Sequence, residues 1–203
     1  VAGAAGASLP TGVAIILGMA NLLADGFSMA AGNYVGTKAD QQMVERARRR
    51  EERHIEQVPE GEREEIRQIF AGKGFEGALL EQIVETITHD RRQWVNTMLT
   101  EELGLQLDPP SPLRAAVATF VAFFVAGLIP LVPFFLPGDW SAMTRFGISS
   151  VATAATFLGI GVAKGYAVKR SLLVSGSETL AIGCAAAVLA YMVGVGLHAL
   201  GAE

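Results

Sequence analysis

Apolar and charged positions divide this chain into long blocks. From Val13 to Val35 the residues are almost all apolar, a run long enough to cross the roughly 30 Å hydrocarbon core of a bilayer. After Gly36 the pattern changes without a helix breaker. TKADQQMVERARRREERHI is charged on nearly every side, so the same helix is expected to leave the membrane and continue to about Ile55. Upstream, Ser8-Leu9-Pro10-Thr11-Gly12 reads as a turn. Val1–Ala7 is apolar and small, with no initiator Met and no basic segment, so it is not a signal peptide. It reads as the tail of a spanning helix that begins upstream.

The polar block resolves into short amphipathic helices. Pro59 suits a first helical turn, where its missing N–H costs nothing. Ile66, Ile69 and Phe70 then recur at helical spacing over Glu60–Ala71, ended by Gly72-Lys73-Gly74. Phe75–Thr88 repeats the pattern with Leu79, Leu80, Ile83, Val84 and Ile87. A break at His89-Asp90 precedes a last helix over Arg91–Leu103, with Gly104 as its terminating residue. The rigid stretch Asp108-Pro109-Pro110-Ser111-Pro112 leads back to the membrane. Three further spans are expected at Leu113–Leu136, Ala142–Val168 and Thr179–Leu200, with Pro130 and Pro133 tolerated if neighbours satisfy the freed carbonyls. The fold class is therefore all-α, a polytopic membrane helix bundle with an inserted helical domain. Its expected divisions are residues 1–37, 38–110 and 111–203. Gly32-x-x-x-Gly36, Gly161-x-x-x-Gly165 and Gly194-x-Gly196 point to close helix approach, within a subunit or between subunits.

Charge sharpens this division. Of 16 Lys and Arg, 12 lie between Lys38 and Arg114, as do 16 of the 20 Asp and Glu. The inserted domain is thus acidic overall and has no basic face, which disfavours nucleic-acid binding. Lys38, Arg46, Arg48, Arg49, Arg50, Arg114, Lys169 and Arg170 fall on one side if the spans alternate. The opposite loops, Ser8–Gly12 and Pro137–Ser141, contain neither Lys nor Arg. The inserted domain is then cytoplasmic and the C-terminus faces outward. The single Cys184 excludes a disulfide framework or a cysteine metal site. No Walker-type phosphate loop and no local nucleophile triad supports ATP-driven pumping or hydrolysis.

Two groups of residues carry candidate chemistry. Asn21, Asp25 and Met29 form one row of the first full span, the polar stripe expected of an ion path. An intramembrane carboxylate costs at least about 2.5 kcal/mol on insertion scales, so it needs a partner or a watery cavity. The structural alternative is an Asp hydrogen-bonded to a neighbouring helix. In the inserted domain Glu51 and His54, Glu62 and Glu65, and Met98 and Glu102 each share a helical face by spacing. If these faces converge, carboxylates with an imidazole and a thioether suit Fe²⁺ or Mn²⁺. The alternative is a solvated acidic surface. Lys164 is expected to snorkel or to pair with an acid such as Asp25, Glu178 to open the last span, and His198 to lie at the interface. Trp94 reads as packing and Trp140 as an interfacial anchor.

Three stretches in order, NLLADGFSMAAGNYVGTKAD, EERHIEQVPEGEREEIRQIFAGKGFEG and WVNTMLTEELGL, resemble the vacuolar iron transporter family, over essentially the whole chain. The resemblance implies a five-helix dimeric membrane protein that exchanges Fe²⁺, and often Mn²⁺, for protons and moves metal out of the cytoplasm. It implies metal ligands at Glu51, Glu62, Glu65, Met98 and Glu102. His54 stands where a glutamate is expected, a ligand exchange that imidazole chemistry allows. Leu99 stands where a second methionine can occur, which removes a soft ligand. Met29 matches a pathway methionine, and Asn21 replaces a carboxylate that Asp25 can supply one turn later. The family's first span contributes a further aspartate, and only Val1–Ala7 of that span is in this chain.

The expected function is a proton-coupled Fe²⁺/Mn²⁺ exporter, a homodimer without a permanent cofactor, and not an enzyme. The style of the motifs suggests a bacterial plasma membrane. The rival readings are a metal-sensing or storage-linked membrane module that binds without transport, and a structural membrane protein.

Overall fold

The computed structural model describes residues 1–200. It consists of helices joined by short connections, and no strand occurs among the described residues. The helices are α1 (Ala2–Gly6), α2 (Thr11–Gln57), α3 (Pro59–Gly72), α4 (Gly77–His89), α5 (Arg91–Thr97), α6 (Pro112–Leu128), α7 (Val132–Phe135), α8 (Ala142–Ala167) and α9 (Leu172–Ala199). A π-helical turn, Met98–Glu102, continues α5, and a 3-10 turn, Ile129–Leu131, joins α6 to α7. Among the described residues four helical stretches are long and apolar enough to cross a membrane: α2, Pro112–Phe135, α8 and α9.

The chain forms two compact units, a membrane unit of Val1–Ala30 with Val117 onward and a polar unit of Ala31–Ala116. These divisions fall a turn or two deeper into α2 and α6 than the charge pattern suggests. The reason is local. Asn33 donates to the Ala115 carbonyl at 3.3 Å and Gln41 to the Pro110 carbonyl at 3.2 Å, which ties those helix ends into the polar unit.

In the membrane unit, glycines set the packing. A Cβ on Gly161 would lie 2.6 Å from the Ser175 carbonyl oxygen, and one on Gly165 would lie 2.9 Å from the Ser175 Cβ. The α8–α9 contact therefore needs both glycines. The same holds between α1 and α9, where a Cβ on Gly194 would come within 2.1 Å of the Gly3 carbonyl oxygen. Two of the three small-residue patterns are thus used within the chain. Gly32, Gly36 and Gly196, by contrast, meet nothing within 4 Å.

The last span starts two turns before the expected Thr179. Ser175-Gly176-Ser177-Glu178 looks like a loop by composition but lies inside α9. Ser177 donates to the Val174 carbonyl at 3.0 Å and Thr179 to the Ser175 carbonyl at 2.9 Å, so their hydroxyls are satisfied on the preceding turn. Glu178 consequently does not open the helix; it pairs with Arg170 at 3.2 Å. Lys164 is exposed on the last turn of α8 and makes no ion pair with Asp25. Trp140 is exposed in the connection before α8, and His198 is exposed in the last turn of α9.

Pro130 and Pro133 break the Leu113–Leu136 span into three pieces, and two side chains of α8 repair the damage. Ser149, fully buried, donates to the Pro130 carbonyl at 2.7 Å. Arg145 donates to the carbonyls of Pro133, Leu136 and Gly138, each at 2.8 Å. A guanidinium is suited to this because it presents several donors in a fixed fork. Arg145 lies just inside the helix that follows a loop without basic residues, and its charge is spent on these helix-end carbonyls.

The polar unit has its own core. Ile55, Ile66, Leu80, Val84, Ile87, Trp94, Val95, Met98 and Leu99 form one buried cluster. Leu80, Val84 and Ile87 are the inward stripe of α4, while Leu79 is turned outward at 54% exposure. Asp90 ends one helix and starts the next, its carboxylate accepting from the backbone N–H of Arg92 at 2.8 Å. Gly104, with φ +63°, follows the π turn at the expected terminating position.

Two stability outcomes follow. Gly194→Ala forces apart the α1–α9 contact and lowers the thermal midpoint of the detergent-solubilised protein, at a cost of about 1–3 kcal/mol. Arg145→Met leaves several carbonyls of the α7 end unmade and costs about 2–3 kcal/mol, and Arg145→Lys recovers only part of this. Thermal unfolding followed by circular dichroism, and limited proteolysis of the α7–α8 connection, read both effects.

Candidate metal centre

The site grows out of a chain reversal. α2 and α3 are separated by one non-helical residue, Val58, with φ −138° and ψ 55°. Its N–H donates to the His54 carbonyl at 2.8 Å, and its carbonyl accepts from Gly61 and Glu62 at 3.0 and 3.2 Å. Pro59 follows at the first helical position, where no N–H is required. The polar positions are symmetric about this turn. His54 and Glu62 each lie four residues from Val58, and Glu51 and Glu65 each lie seven. Reversing the chain at Val58 therefore brings the Glu51/His54 face of α2 onto the Glu62/Glu65 face of α3.

Glu51, His54 and Glu62 each offer a ligand atom within 4.8 Å of the others. His54 Nδ1 lies 3.3 Å from Glu62 Oε1. Glu51 and Glu62 are buried, at 1% and 6% exposure, whereas His54 is exposed at the rim. Glu51 Oε1 accepts from Arg50 Nε at 3.1 Å. Glu62 Oε2 is buried without a hydrogen-bond partner. An unmatched carboxylate oxygen in that position is costly unless a cation completes it.

Burial, and then the negative charges of Glu65 and Glu51, hold the Glu62 carboxyl above the usual glutamate range, with His54 opposing them. Burial, then Glu51 and Glu65, raise Glu102 in the same way. Glu65 and Glu102 are exposed, yet both belong to this electrostatic neighbourhood. The cluster is thus short of positive charge. It could accept a divalent cation through carboxylate oxygens and an imidazole nitrogen, donors that suit Fe²⁺ and Mn²⁺.

The Met98–Glu102 pair sits on the π turn, not on the α-helical turn that spacing alone suggests. The Leu103 N–H donates to the Met98 carbonyl at 3.2 Å, the wider π register. Met98 and Leu99 are both fully buried in the apolar cluster. Glu101 turns away from the carboxylates and pairs with Lys73, which also lies 5.2 Å from the centre of the Phe70 ring. Sequence reasoning missed three features here: the π turn, the Lys73–Glu101 tie and the role of Arg50 beside Glu51. Only Arg50 carried a local signal, its adjacency to Glu51.

In the membrane unit, Asn21, Asp25 and Met29 are exposed in one row of α2, next to the buried row of Leu22, Gly26 and Ala30. Asp25 makes no hydrogen bond or ion pair within the described chain.

The profile of the VIT family matches residues 1–195. The chain belongs to the VIT family. It is 37% identical over 158 residues to the Vacuolar iron transporter of Toxoplasma gondii, an alignment covering 76% of this chain and 51% of that protein. It is 32% identical over 193 residues to Vacuolar iron transporter 1 of Tulipa gesneriana, covering 94% of this chain and 76% of the relative. Vacuolar iron transporter 1 of Arabidopsis thaliana is 31% identical over 191 residues, with the same coverage of 94% and 76%. The chain therefore spans about half the length of the Toxoplasma relative and three quarters of the plant ones.

The carboxyl groups of this VIT family member give it a pH signature. A folded-state value raised above the unfolded one means that the folded protein holds more protons. Stability of the metal-free protein therefore falls as pH rises from the ordinary glutamate range through the raised values of Glu62 and Glu102, and acidification restores it. Glu62→Gln removes the Glu62 share of this loss, so the metal-free variant is more stable than the parent at neutral pH and gains less from added Fe²⁺ or Mn²⁺. Thermal midpoints across pH, with and without metal, test both statements.

Proposed function

We propose that this VIT family member is a membrane transporter that moves Fe²⁺, and also Mn²⁺, out of the cytoplasm in exchange for protons. The observation that carries the reading is the buried Glu51–Glu62 pair with His54 at its rim and one Glu62 oxygen left without a partner. The names of the relatives, vacuolar iron transporters, support metal as the cargo. Glu51, His54 and Glu62 gather the cation, assisted by the exposed Glu65 and Glu102, while Met98 stays in the apolar core. Asn21, Asp25 and Met29 line its route through the membrane. Coupling rests on carboxylate chemistry: only the ionised form binds metal well, so a proton arriving at Asp25 releases the ion.

A homodimer fits the same reading. The Asn21–Asp25–Met29 row is exposed on the single chain, and a carboxylate facing hydrocarbon is costly. Gly32 and Gly36, further along the same helix, meet no other side chain or backbone within 4 Å. A second copy covering this face would give Asp25 a polar surrounding and use the open glycines for close helix approach. The polar unit lies on the cytoplasmic side by its flanking basic residues, and the reading takes the membrane to be a bacterial plasma membrane. The competing reading, a sensing or storage-linked binder, would retain the Glu51–Glu62 site and have no use for the membrane row.

The deciding experiment reconstitutes the protein in liposomes that hold a metal-sensitive dye, under an imposed pH gradient. Gradient-dependent influx of Fe²⁺ or Mn²⁺ is expected, and Asp25→Asn is expected to reduce it at least about 10-fold without loss of metal binding to the polar unit. Flux that persists unchanged in Asp25→Asn removes the assigned pathway. Metal binding with no flux in the parent protein selects the sensor reading.

A further inference from the structure

We infer that His54 sets the metal preference of this centre, favouring Fe²⁺ and other nitrogen-accepting divalent ions over Mn²⁺, Mg²⁺ and Ca²⁺. The inference rests on the metal-site reading above and specifies which ions the site selects. Apart from His54, the ligand atoms gathered at the turn are carboxylate oxygens of Glu51 and Glu62, with the exposed Glu65 and Glu102 adding negative charge around them. Such a shell serves the harder ions Mn²⁺, Mg²⁺ and Ca²⁺ well. Imidazole is a softer donor that suits Fe²⁺, Co²⁺, Ni²⁺ and Zn²⁺ and contributes little to Mg²⁺ or Ca²⁺.

Geometry makes the imidazole hard to bypass. His54 Nδ1 is 3.3 Å from Glu62 Oε1, so the ring, although exposed at the rim, brings a nitrogen within reach of any ion held by the buried carboxylates. The carboxylates that complete the triad are nearly inaccessible, at 1% and 6% exposure, on helices joined through the single residue Val58. They lack the freedom to rebuild an all-oxygen shell elsewhere. Glu62 Oε2 is buried without a hydrogen-bond partner, and Glu51, His54 and Glu62 each offer a ligand atom within 4.8 Å of the others, so one ion could take both a carboxylate oxygen and the ring nitrogen. An imidazole in place of another carboxylate adds no negative charge to the cluster. That penalises ions held chiefly by charge more than ions that gain from a nitrogen bond. The thioether does not supply an equivalent discrimination on its own: Met98 is sunk in the apolar core, and its neighbour is Leu99.

The test uses the full chain in detergent or nanodiscs, without oxygen, titrated separately with Fe²⁺, Co²⁺, Mn²⁺ and Mg²⁺ and followed by calorimetry. The parent protein is expected to prefer Fe²⁺ and Co²⁺ to Mn²⁺, and His54→Glu to shrink that ratio by about tenfold while it still binds metal. Pulsed electron paramagnetic resonance of bound Mn²⁺ provides a second readout. A nitrogen coupling is expected in the parent and not in His54→Glu. His54→Gln serves the same comparison if the glutamate variant does not fold. An unchanged Fe²⁺/Mn²⁺ ratio in the variant, or no nitrogen coupling in the parent, overturns the assignment of His54 and leaves the centre itself standing. Absence of metal binding to the parent overturns the centre and this inference together.

Discussion

Two carboxylates, Glu51 and Glu62, are buried beside each other where the chain reverses at Val58. Like charges in such a place repel and are poorly hydrated, so the arrangement works against the stability of the polar unit. The fold tolerates it because the rest of that unit is conventionally apolar. Ile55 below the turn, Ile66 on α3, and Val84, Val95 and Met98 behind them form a continuous buried cluster that holds α2 and α3 together. Arg50 offsets part of the charge on Glu51, while Glu62 keeps one oxygen unmatched. At the proposed metal site a bound cation would convert this repulsion into coordination.

The membrane unit obeys a different constraint, the need to satisfy backbone groups without water. The second of the four spans is interrupted at Pro130 and ends at Phe135, and Ser149 and Arg145 of α8 take up carbonyls at the break and beyond the helix end. Glycines at 161, 165 and 194 let helix backbones touch. What remains open on the single chain is the row of Asn21, Asp25 and Met29, together with the unpacked Gly32 and Gly36. A polar row with an acid, left uncovered on a span, links the transport proposal to the dimer proposal through one physical cause.

Much of this was legible in one dimension. The apolar runs mark the spans because their length must match the bilayer, and the charge block marks the insert. The carboxylate pairs stood out because Glu51/His54 and Glu62/Glu65 repeat helical spacing on either side of Val58-Pro59. That symmetry needs only a sharp turn to become a site. The start of α9 differs from its composition for an equally local reason: Ser-Gly-Ser-Glu has loop composition, yet it lies inside the helix, packs closely against Gly161 and Gly165, and has its Ser177 hydroxyl satisfied on the preceding turn.

By itself, then, the sequence determined the helical class, the spans, the polar insert and the candidate metal ligands, because periodicity and hydropathy are properties of the chain alone. Tertiary structure decided which carboxylates are buried and which oxygen lacks a partner. It decided that Met98 and Leu99 belong to the core, and that Glu101 is drawn off to Lys73 while Glu102 stays with the cluster. It also gave Arg145 its carbonyl partners. These outcomes depend on distances between segments far apart in the chain, and no local pattern encodes such distances.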